Sequence, residues 1–547
     1  MKVTTTLDLD LQNQAQQIVS DEITQVEKQH ITNGAAIVLN PETGEILAMV
    51  GSKDFNDPNV GQYNVVTALR QPGSSFKPFT YVTALKKGYT AATLLMDVPT
   101  TFPGGVGQPD YTPVNYDNKF VGPIQMRYAL ANSRNIPAVK MLAMVGIKDV
   151  LTTATDMGIT TLPPTTDTLN HVGLSLTLGG GEVRLLDMAG AYSAFVNQGD
   201  RIDPISILKV VDANGKVLED NHPQKGKQVI TPEQAYIIDS ILSDNDARTP
   251  EFGANSYLKV TGLNVMVKTG TTNDKKDNWT IGGNDNAMVG VWVGNNDNTS
   301  MLNVASGISG ASPIWHQIVV AALKGKPAAN FTPSSNVVTA SVDAVSGYAA
   351  HDGFATRNEF FIKGTEPGTD PVHVMLKVCK SDGNLANPSD IASNNYDNKE
   401  YFLFKEEDPT AGPGQPNKWQ EGILNWLNGQ GDPRYHPPTN YCGSGNPMDV
   451  EITNPHDHDQ LNSNFTVTYT ANSNSDITQA DLQVNGDKKC TSNNGSNSYS
   501  CQLSLSNGVY ELKAEATDSQ GHQSSKVINV AVGEPFPTPT PTPTPTP

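Results

Sequence analysis

The chain is poor in positive charge, in charged residues of any kind, in long apolar runs and, over most of its length, in cysteine. Of 547 residues, 37 are Lys or Arg and 56 are Asp or Glu, a formal charge of −19. Nucleic-acid binding needs a basic footprint that displaces counterions, so no nucleic-acid partner is expected. Charged residues make up 17%, against about 25% in ordinary globular proteins. No stretch approaches the roughly 18 apolar residues of a membrane helix. The N-terminus, MKVTTTLDLDLQNQ, lacks the apolar core of a signal peptide. Either the chain is cytosolic or its targeting segment lies outside this sequence. The first 378 residues hold no cysteine; Cys379, Cys442, Cys490 and Cys501 all come late. Cys490 and Cys501 flank the polar tip TSNNGSNSYS, read as a hairpin, and a disulfide is expected there, with the oxidising compartment it implies. A Cys379–Cys442 bond is possible, but sequence alone cannot place the two within bridging distance, so their pairing stays open.

The length allows two to four domains, at roughly 100–200 residues each. Residues 1–30 read as a linker and amphipathic helix, with Leu9, Ala15, Ile18, Ile23 and Val26 on one face. Residues 31–326 form the main domain. It opens on a hairpin around Pro41-Glu42-Thr43-Gly44, continues through helical patterns, and returns to short apolar strands, VMVKTG and NAMVGVWVG. Strands distant in sequence then share a sheet packed with helices, an α+β arrangement. Residues 327–446 are an Asn-, Gly- and Pro-rich extension. In it, Glu359-Phe-Phe-Ile-Lys363 echoes Glu400-Tyr-Phe-Leu-Phe-Lys405, which predicts two small strand-turn units. Residues 410–446 read as loop anchored by Trp419 and Trp426. Residues 447–533 alternate as an all-β immunoglobulin- or fibronectin-like sandwich. The Pro-Thr tail, 534–547, predicts an extended polyproline stalk.

Three short motifs carry chemistry. Lys268-Thr269-Gly270, with Thr271 and Thr272, occurs once. On a strand it sets a cation beside a position without a side chain, a clamp for a carboxylate lying flat on the backbone. Ser74-Ser75-Phe76-Lys77 follows Pro72-Gly73; if these turn the chain into a helix, Ser74 and Lys77 share a face one turn apart. A buried lysine there can shed its proton and serve as base for the hydroxyl. Ser206–Lys209 and Ser256–Lys259 share the spacing but not the Pro-Gly lead-in. Ser-x-Asn occurs at Ser133, Ser243, Ser334, Ser393, Ser444 and Ser492. Ser243 to Asn245 ends an amphipathic run, where helix C-capping explains Asn. Ser133 and Asn135 sit between two apolar-periodic runs, and a turn there projects both side chains into a cleft.

In order, Ser74-x-x-Lys77, Ser133-x-Asn135 and Lys268-Thr269-Gly270 resemble the triplet of penicillin-binding proteins and serine β-lactamases. Longer stretches, ALRQPGSSFKPFTY, GPIQMRYALANSRNIPAVKML and VKTGTTNDKKDNWTIGG, resemble the transpeptidase domain of class A (bifunctional) penicillin-binding proteins. The likeness covers about residues 1–325, with echoes to about 409. That class carries a membrane anchor and a glycosyltransferase domain before this point. Neither is in this sequence, which reads as a fragment or a truncated gene model placed on the extracytoplasmic face of the membrane. The resemblance implies acyl transfer from a stem peptide ending in D-Ala-D-Ala. Ser74 is then the nucleophile, Lys77 its base, and Ser133 the proton relay to the leaving amine, with Lys268 nearby. Asn135 holds the substrate backbone. Lys268, Thr269, Gly270 and Thr271 seat the carboxylate, and the backbone N–H groups of Ser74 and Thr271 form the oxyanion hole. Peptidoglycan stem peptides and β-lactams are the implied partners. A D,D-carboxypeptidase or β-lactamase-like hydrolase is the enzyme alternative; the deacylating Glu-x-x-x-Asn of the latter matches only Glu421 to Asn425, after the Lys-Thr-Gly strand where it should precede it. The non-enzyme alternative is a penicillin sensor or wall-binding module. The C-terminal third is expected to engage cell wall, or divisome or elongation proteins. No cofactor or metal is required; His456-Asp457-His458-Asp459 reads as a solvated loop and Gly179-Gly180-Gly181 as a tight turn.

Overall fold

A computed structural model describes the chain except residues 104–108, 223–224, 303–308, 413, 443–447, 494 and 537–547, and the side chain of residue 389. Most of the Pro-Thr tail, the Ser444 match and Asn494 of the Ser492 match lie outside the described residues. The chain divides into two compact units, Met1–Val372 with Phe404–Gln430, and His373–Leu403 with Gly431–Pro547.

The first unit is built on a five-stranded antiparallel sheet. Its strands are β1 (Asn33–Leu39), β2 (Ile46–Val50), β3 (Met266–Thr271), β4 (Asp277–Asn284) and β5 (Ala287–Gly294), in the order β3-β4-β5-β1-β2. The N-terminal hairpin and the Lys-Thr-Gly strand thus share one sheet, as expected of strands far apart in the chain. Around it lie α1 (Leu9–Val26), α2 (Lys77–Lys86), α3 (Met126–Ala131), α4 (Asn135–Val145), α5 (Leu185–Val196), α6 (Asn245–Phe252) and α7 (Ala311–Ala322).

Both faces of the sheet are covered. Ala36, Val38, Val289, Val291 and Val293 pack with α1 and α7 on one side. Ala35, Ile37, Trp279, Ile281 and Trp292 pack with α2 and α5 on the other. Double burial explains the near-continuous apolar text of β5, AMVGVWVG, in place of strict alternation. Each fully buried Val, Ile or Phe contributes about 1.5–3 kcal/mol by leaving water.

Residues 1–30 are not a lead-in but part of this body. Lys2–Thr5 pairs with Ile207–Val211, and α1, capped by Asp8 on Leu11 N, lies in the core. Its buried stripe is Leu11, Ala15, Val19 and Ile23, while Leu9 is 62% exposed. The stripe follows an i, i+4 row, rotated from the face expected.

The stretch 327–446 is divided between the units. Its two strand-turn units are present and share one geometry. Val337–Asp343 pairs with Thr356–Ile362, and His373–Cys379 with Tyr396–Phe402. In each, the residue ending the first strand closes a turn: Asp343 N donates to Tyr348 O and Cys379 N to Asn384 O, both at 2.8 Å. The loop expected over 410–446 contains a helix, α8 (Lys418–Leu427), capped by Asn417 on Gln420 N. Trp419 and Ile423 are its buried i, i+4 pair, and the Trp419 ring meets Phe102 edge-on at 5.7 Å. Polar neighbours hid that short period.

In the second unit, the sandwich has one sheet of Met448–Asn454, Asn464–Ser473 and Ser498–Ser504. The other holds Gln460–Leu461, Gln523–Val532, Gly508–Asp518, Ile477–Val484 and Asp487–Ser492. Val467, Tyr469, Leu482, Leu512 and Val530 fill the space between. Cys490 and Cys501 are bonded, but their strands do not form a hairpin. They lie in opposite sheets, so the bond joins the two layers. Cys379 and Cys442 are bonded as well. His456 and His458 are exposed, as a solvated loop requires.

Candidate active site

Pro72-Gly73 does turn the chain into a helix. Gly73 has φ +56°, a left-handed conformation that glycine adopts without strain. Residues Gly73–Phe76 form one 3₁₀ turn that runs into α2. The turn is held from below: Trp279 Nε1 donates to Gln71 O at 2.8 Å, Ser75 Oγ to Pro72 O at 2.7 Å, and Tyr192 OH to Ser75 O. Its upper side abuts β3. A Cβ on Gly270 would lie 2.1 Å from Pro72 O, so only glycine lets strand and turn meet.

Ser133 links α3 to α4 with φ +55°, a left-handed conformation that costs a non-glycine residue about 1–2 kcal/mol. Its Oγ lies 2.8 Å from Lys268 Nζ and 3.4 Å from Lys77 Nζ. Lys77 Nζ also donates to Asn135 Oδ1 at 2.8 Å, to Arg134 O at 3.0 Å, and to Ser133 O. Asn135 Nδ2 donates onward to Val114 O at 2.7 Å. One serine hydroxyl therefore sits between two buried amines, and one carboxamide is fixed at both ends.

Neither amine is an ordinary lysine. Burial, then the neighbouring charges of Lys268 and Arg134, hold Lys77 well below its usual range. Burial pushes Lys268 down to about 7, with Glu251 opposing and Arg248 assisting the shift. Burial and like charge disfavour the ammonium form of both, and Lys268 exchanges its proton near neutrality.

Ser74, Ser133, Asn135 and Thr271 line one cavity of about 510 Å³, with Tyr116, Leu178, Glu251, Phe252, Thr272 and Lys275 among its other walls. Lys77 and Lys268 reach it through Ser133. Thr269 is buried at 1% exposure and is not among the lining residues; Thr271 and Thr272 take that place. At the end of β3, Thr272 N donates to Asp277 O at 3.1 Å. Alternation along the strand then turns Thr271 N toward the free edge of the sheet, where the Gly73 turn lies. The Ser243 match falls elsewhere. Ser243 closes one helix, Asp244 caps α6 on Ala247 N at 2.9 Å, and Asn245 is the first residue of α6, not a C-cap. Glu421 lies on α8, outside the residues that line the cavity.

Four supporting residues escape a reading of motifs. Asn278 donates to Thr271 Oγ1 at 2.9 Å and accepts from Ala311 N at 2.9 Å, which leaves the Thr271 hydroxyl proton to face the cavity. Its signal is the hairpin register that pairs Thr271 with Asn278. Arg134 is buried and bonds Asp97 at 2.9 Å, Asp117 at 3.2 Å and Glu251 at 3.5 Å, which pins the Ser133 turn. Asn115 accepts from Asn135 N and donates to Asp97 Oδ1, both at 2.7 Å. Glu251 has no local signal beyond its place on a capped helix.

Comparison with known proteins agrees with this geometry. Residues 34–310 match the penicillin binding protein transpeptidase domain, and residues 449–514 a bacterial Ig domain. Penicillin-binding protein 2D of Bacillus subtilis is 32% identical over 381 residues, 67% of this chain and 52% of its own length. The structure of penicillin-binding protein 1A from Haemophilus influenzae superposes with a TM-score of 0.55 at 28% identity, covering 62% of this chain and 55% of that one. PonA1 of Mycobacterium tuberculosis, solved also in complex with penicillin V, gives 0.53 at 26% identity over 64% of this chain and 90% of that one. The chain spans about half the length of the curated relative named here. A serine, two buried lysines and a glycine-tight strand held on a sheet of this order, matched across half the sequence, make the chain a member of the penicillin-binding protein transpeptidase family, with class A proteins among its relatives.

Proposed function

We propose that the chain is a serine D,D-transpeptidase that cross-links peptidoglycan stem peptides and is acylated by β-lactams. The observation that carries this is the Ser133 hydroxyl between two depressed lysines, in the cavity that also holds Ser74. Lys77, its ammonium form destabilised by burial and by the charge of Lys268, takes the Ser74 proton as Ser74 Oγ attacks the penultimate D-Ala carbonyl. The oxyanion forms against Ser74 N and Thr271 N, where each donor contributes about 3–4 kcal/mol to lowering the barrier. Ser133, supplied by Lys77 and Lys268, protonates the departing D-Ala amine. Asn135 aligns the donor backbone, and Lys268 with the Thr271 hydroxyl receives the terminal carboxylate. Thr269, buried behind the strand, supports that seat. The ester on Ser74 then passes to an amine of a neighbouring stem.

Two disulfides favour an oxidising location, the outer face of the membrane, where peptidoglycan lies. The Ig-like domain serves there as a wall-binding module. Labelled penicillin tests the acylation site: a covalent adduct mapped to Ser74, lost in Ser74→Ala, is expected. No adduct, or an undiminished one in the variant, would end the reading. Sedimentation of the full chain with purified cell walls, reduced when residues 447–547 are removed, tests the second role.

A further inference from the structure

Amines and guanidinium groups crowd the cavity around Ser74, with Arg134 itself paired to Asp97 and Asp117. Lys77 and Lys268 stand behind Ser133, Lys275 is on the wall, and Arg134 and Arg248 lie beneath. Among its described lining residues one carboxylate faces this set, Glu251 on α6. Two bonds fix where it sits. Its backbone N–H donates to Asn132 Oδ1 at 3.1 Å, and its Oε2 lies 3.5 Å from Arg134 Nη1. The side chain keeps 23% of its surface open, and among the described residues Oε1 receives no hydrogen bond. An acyl donor brings a carboxylate, which the lysines serve. At its reacting end it carries no cation for Glu251 to pair with. The second substrate of an acyl transfer to an amine arrives as an ammonium ion, which Lys275 repels and the one carboxylate among the described lining residues attracts.

The geometry points to Glu251 as the residue that receives the acceptor ammonium and takes its first proton, so that this cleft transfers its acyl group to amines in preference to water. This rests on the transpeptidase reading above. Of the three protons on the acceptor nitrogen, one passes to Glu251. The freed lone pair attacks the Ser74 ester carbonyl, the N–C bond forms and the C–Oγ bond breaks. A second proton returns to Ser74 Oγ by way of Lys77, and the third stays on the new amide; Glu251 releases its proton to solvent. Burial and the charge of Asp117 raise the Glu251 carboxyl, while Arg134, Lys77 and Lys268 draw it back, which suits a group that must both take and release a proton.

The test uses the full chain, a D-alanyl thioester as donor, and two acceptors: Nα-acetyl-lysine, an ammonium at neutral pH, and hydroxylamine, which is neutral there. The readout is amide formed against donor hydrolysed, a partition of one acyl-enzyme that does not depend on how fast it forms. In Glu251→Gln the ratio for Nα-acetyl-lysine falls about tenfold or more, the size of one charge-assisted hydrogen bond, and the ratio for hydroxylamine stays. Labelled penicillin on Ser74 shows that the variant is folded. Adduct present with both ratios unchanged, or with hydrolysis falling as steeply as aminolysis, overturns the role of Glu251 and leaves the transpeptidase reading standing. Absence of adduct in the unaltered chain sinks that reading first. Should the variant not fold, the unaltered chain decides: added salt lowers the ratio for Nα-acetyl-lysine and spares hydroxylamine, and equal response of both acceptors overturns the proposal.

Discussion

Replacing Gly270 by Ala adds one methyl group at the tightest point of the cleft. Its Cβ would stand 2.1 Å from Pro72 O and 3.0 Å from both Ser75 N and Ser75 Oγ. Pro72 O is backbone and already accepts from Ser75 Oγ at 2.7 Å, so it cannot swing aside. To reach 3.4 Å, where ordinary contact begins, strand and turn must part by about 1.3 Å. That displacement falls between Ser74 and Thr271, the two backbone donors assigned to the oxyanion. Loss of one such donor costs about 100- to 1000-fold, and a 1 Å misplacement costs a similar factor. The expected result is a fall of two to three orders of magnitude in the second-order rate of acylation by fluorescent penicillin, with the circular dichroism of the sheet retained. Gly368→Ala, where an added Cβ meets nothing within 4 Å, is the control and keeps its rate. A Gly270→Ala chain that acylates within about threefold of the parent refutes the argument that this close approach builds the site.

Lys268→Gln removes a cation whose charge depresses Lys77. Acylation needs the neutral Lys77 amine, so its rate rises with pH through the Lys77 pKa; in the variant that limb moves to higher pH, and a pH–rate profile showing no movement contradicts the coupling. Asp97→Ala leaves Arg134 without its closest buried partner and costs about 3–5 kcal/mol, read as a lowered denaturant midpoint with weaker acylation. Cys490→Ser with Cys501→Ser opens a bond between residues 11 apart and lowers the stability of the Ig-like domain by about 2–3 kcal/mol, seen as an earlier thermal transition in calorimetry.

The three motifs were legible because each combines a side chain with a backbone requirement: Gly73 for the turn, Gly270 for the close approach, Ser133 between two helices. The sheet was legible in kind, since VMVKTG and NAMVGVWVG have the length and apolar content of buried strands. What stayed hidden depends on register or on distance. Asn278 matters because it lies opposite Thr271, and nothing in DKKDNWT announces that pairing. Glu251 and Asp117 meet Arg134 only after α6 and the loop before α3 have docked. Cys379 and Cys442 are 63 residues apart, and composition carries no information about which loops close on each other. The hairpin read around Cys490 and Cys501 failed for a related reason, because a polar tip between two strands looks the same whether it turns within a sheet or crosses to the next.

The return of residues 404–430 to the first unit has a practical consequence. Glu406 accepts from Lys140 Nζ at 2.6 Å and from Met96 N at 2.8 Å, and Lys140 has no exposed surface. A chain ended at 326 or 372 would leave that ammonium inside without its counter-ion. A chain ended at Gln430 would keep the ion pair, but carry His373–Leu403 without the rest of its own unit. The two units alternate along the sequence. No single crossover in a gene can swap one for another, and any inheritance or engineering that exchanges them must cut the chain at three junctions.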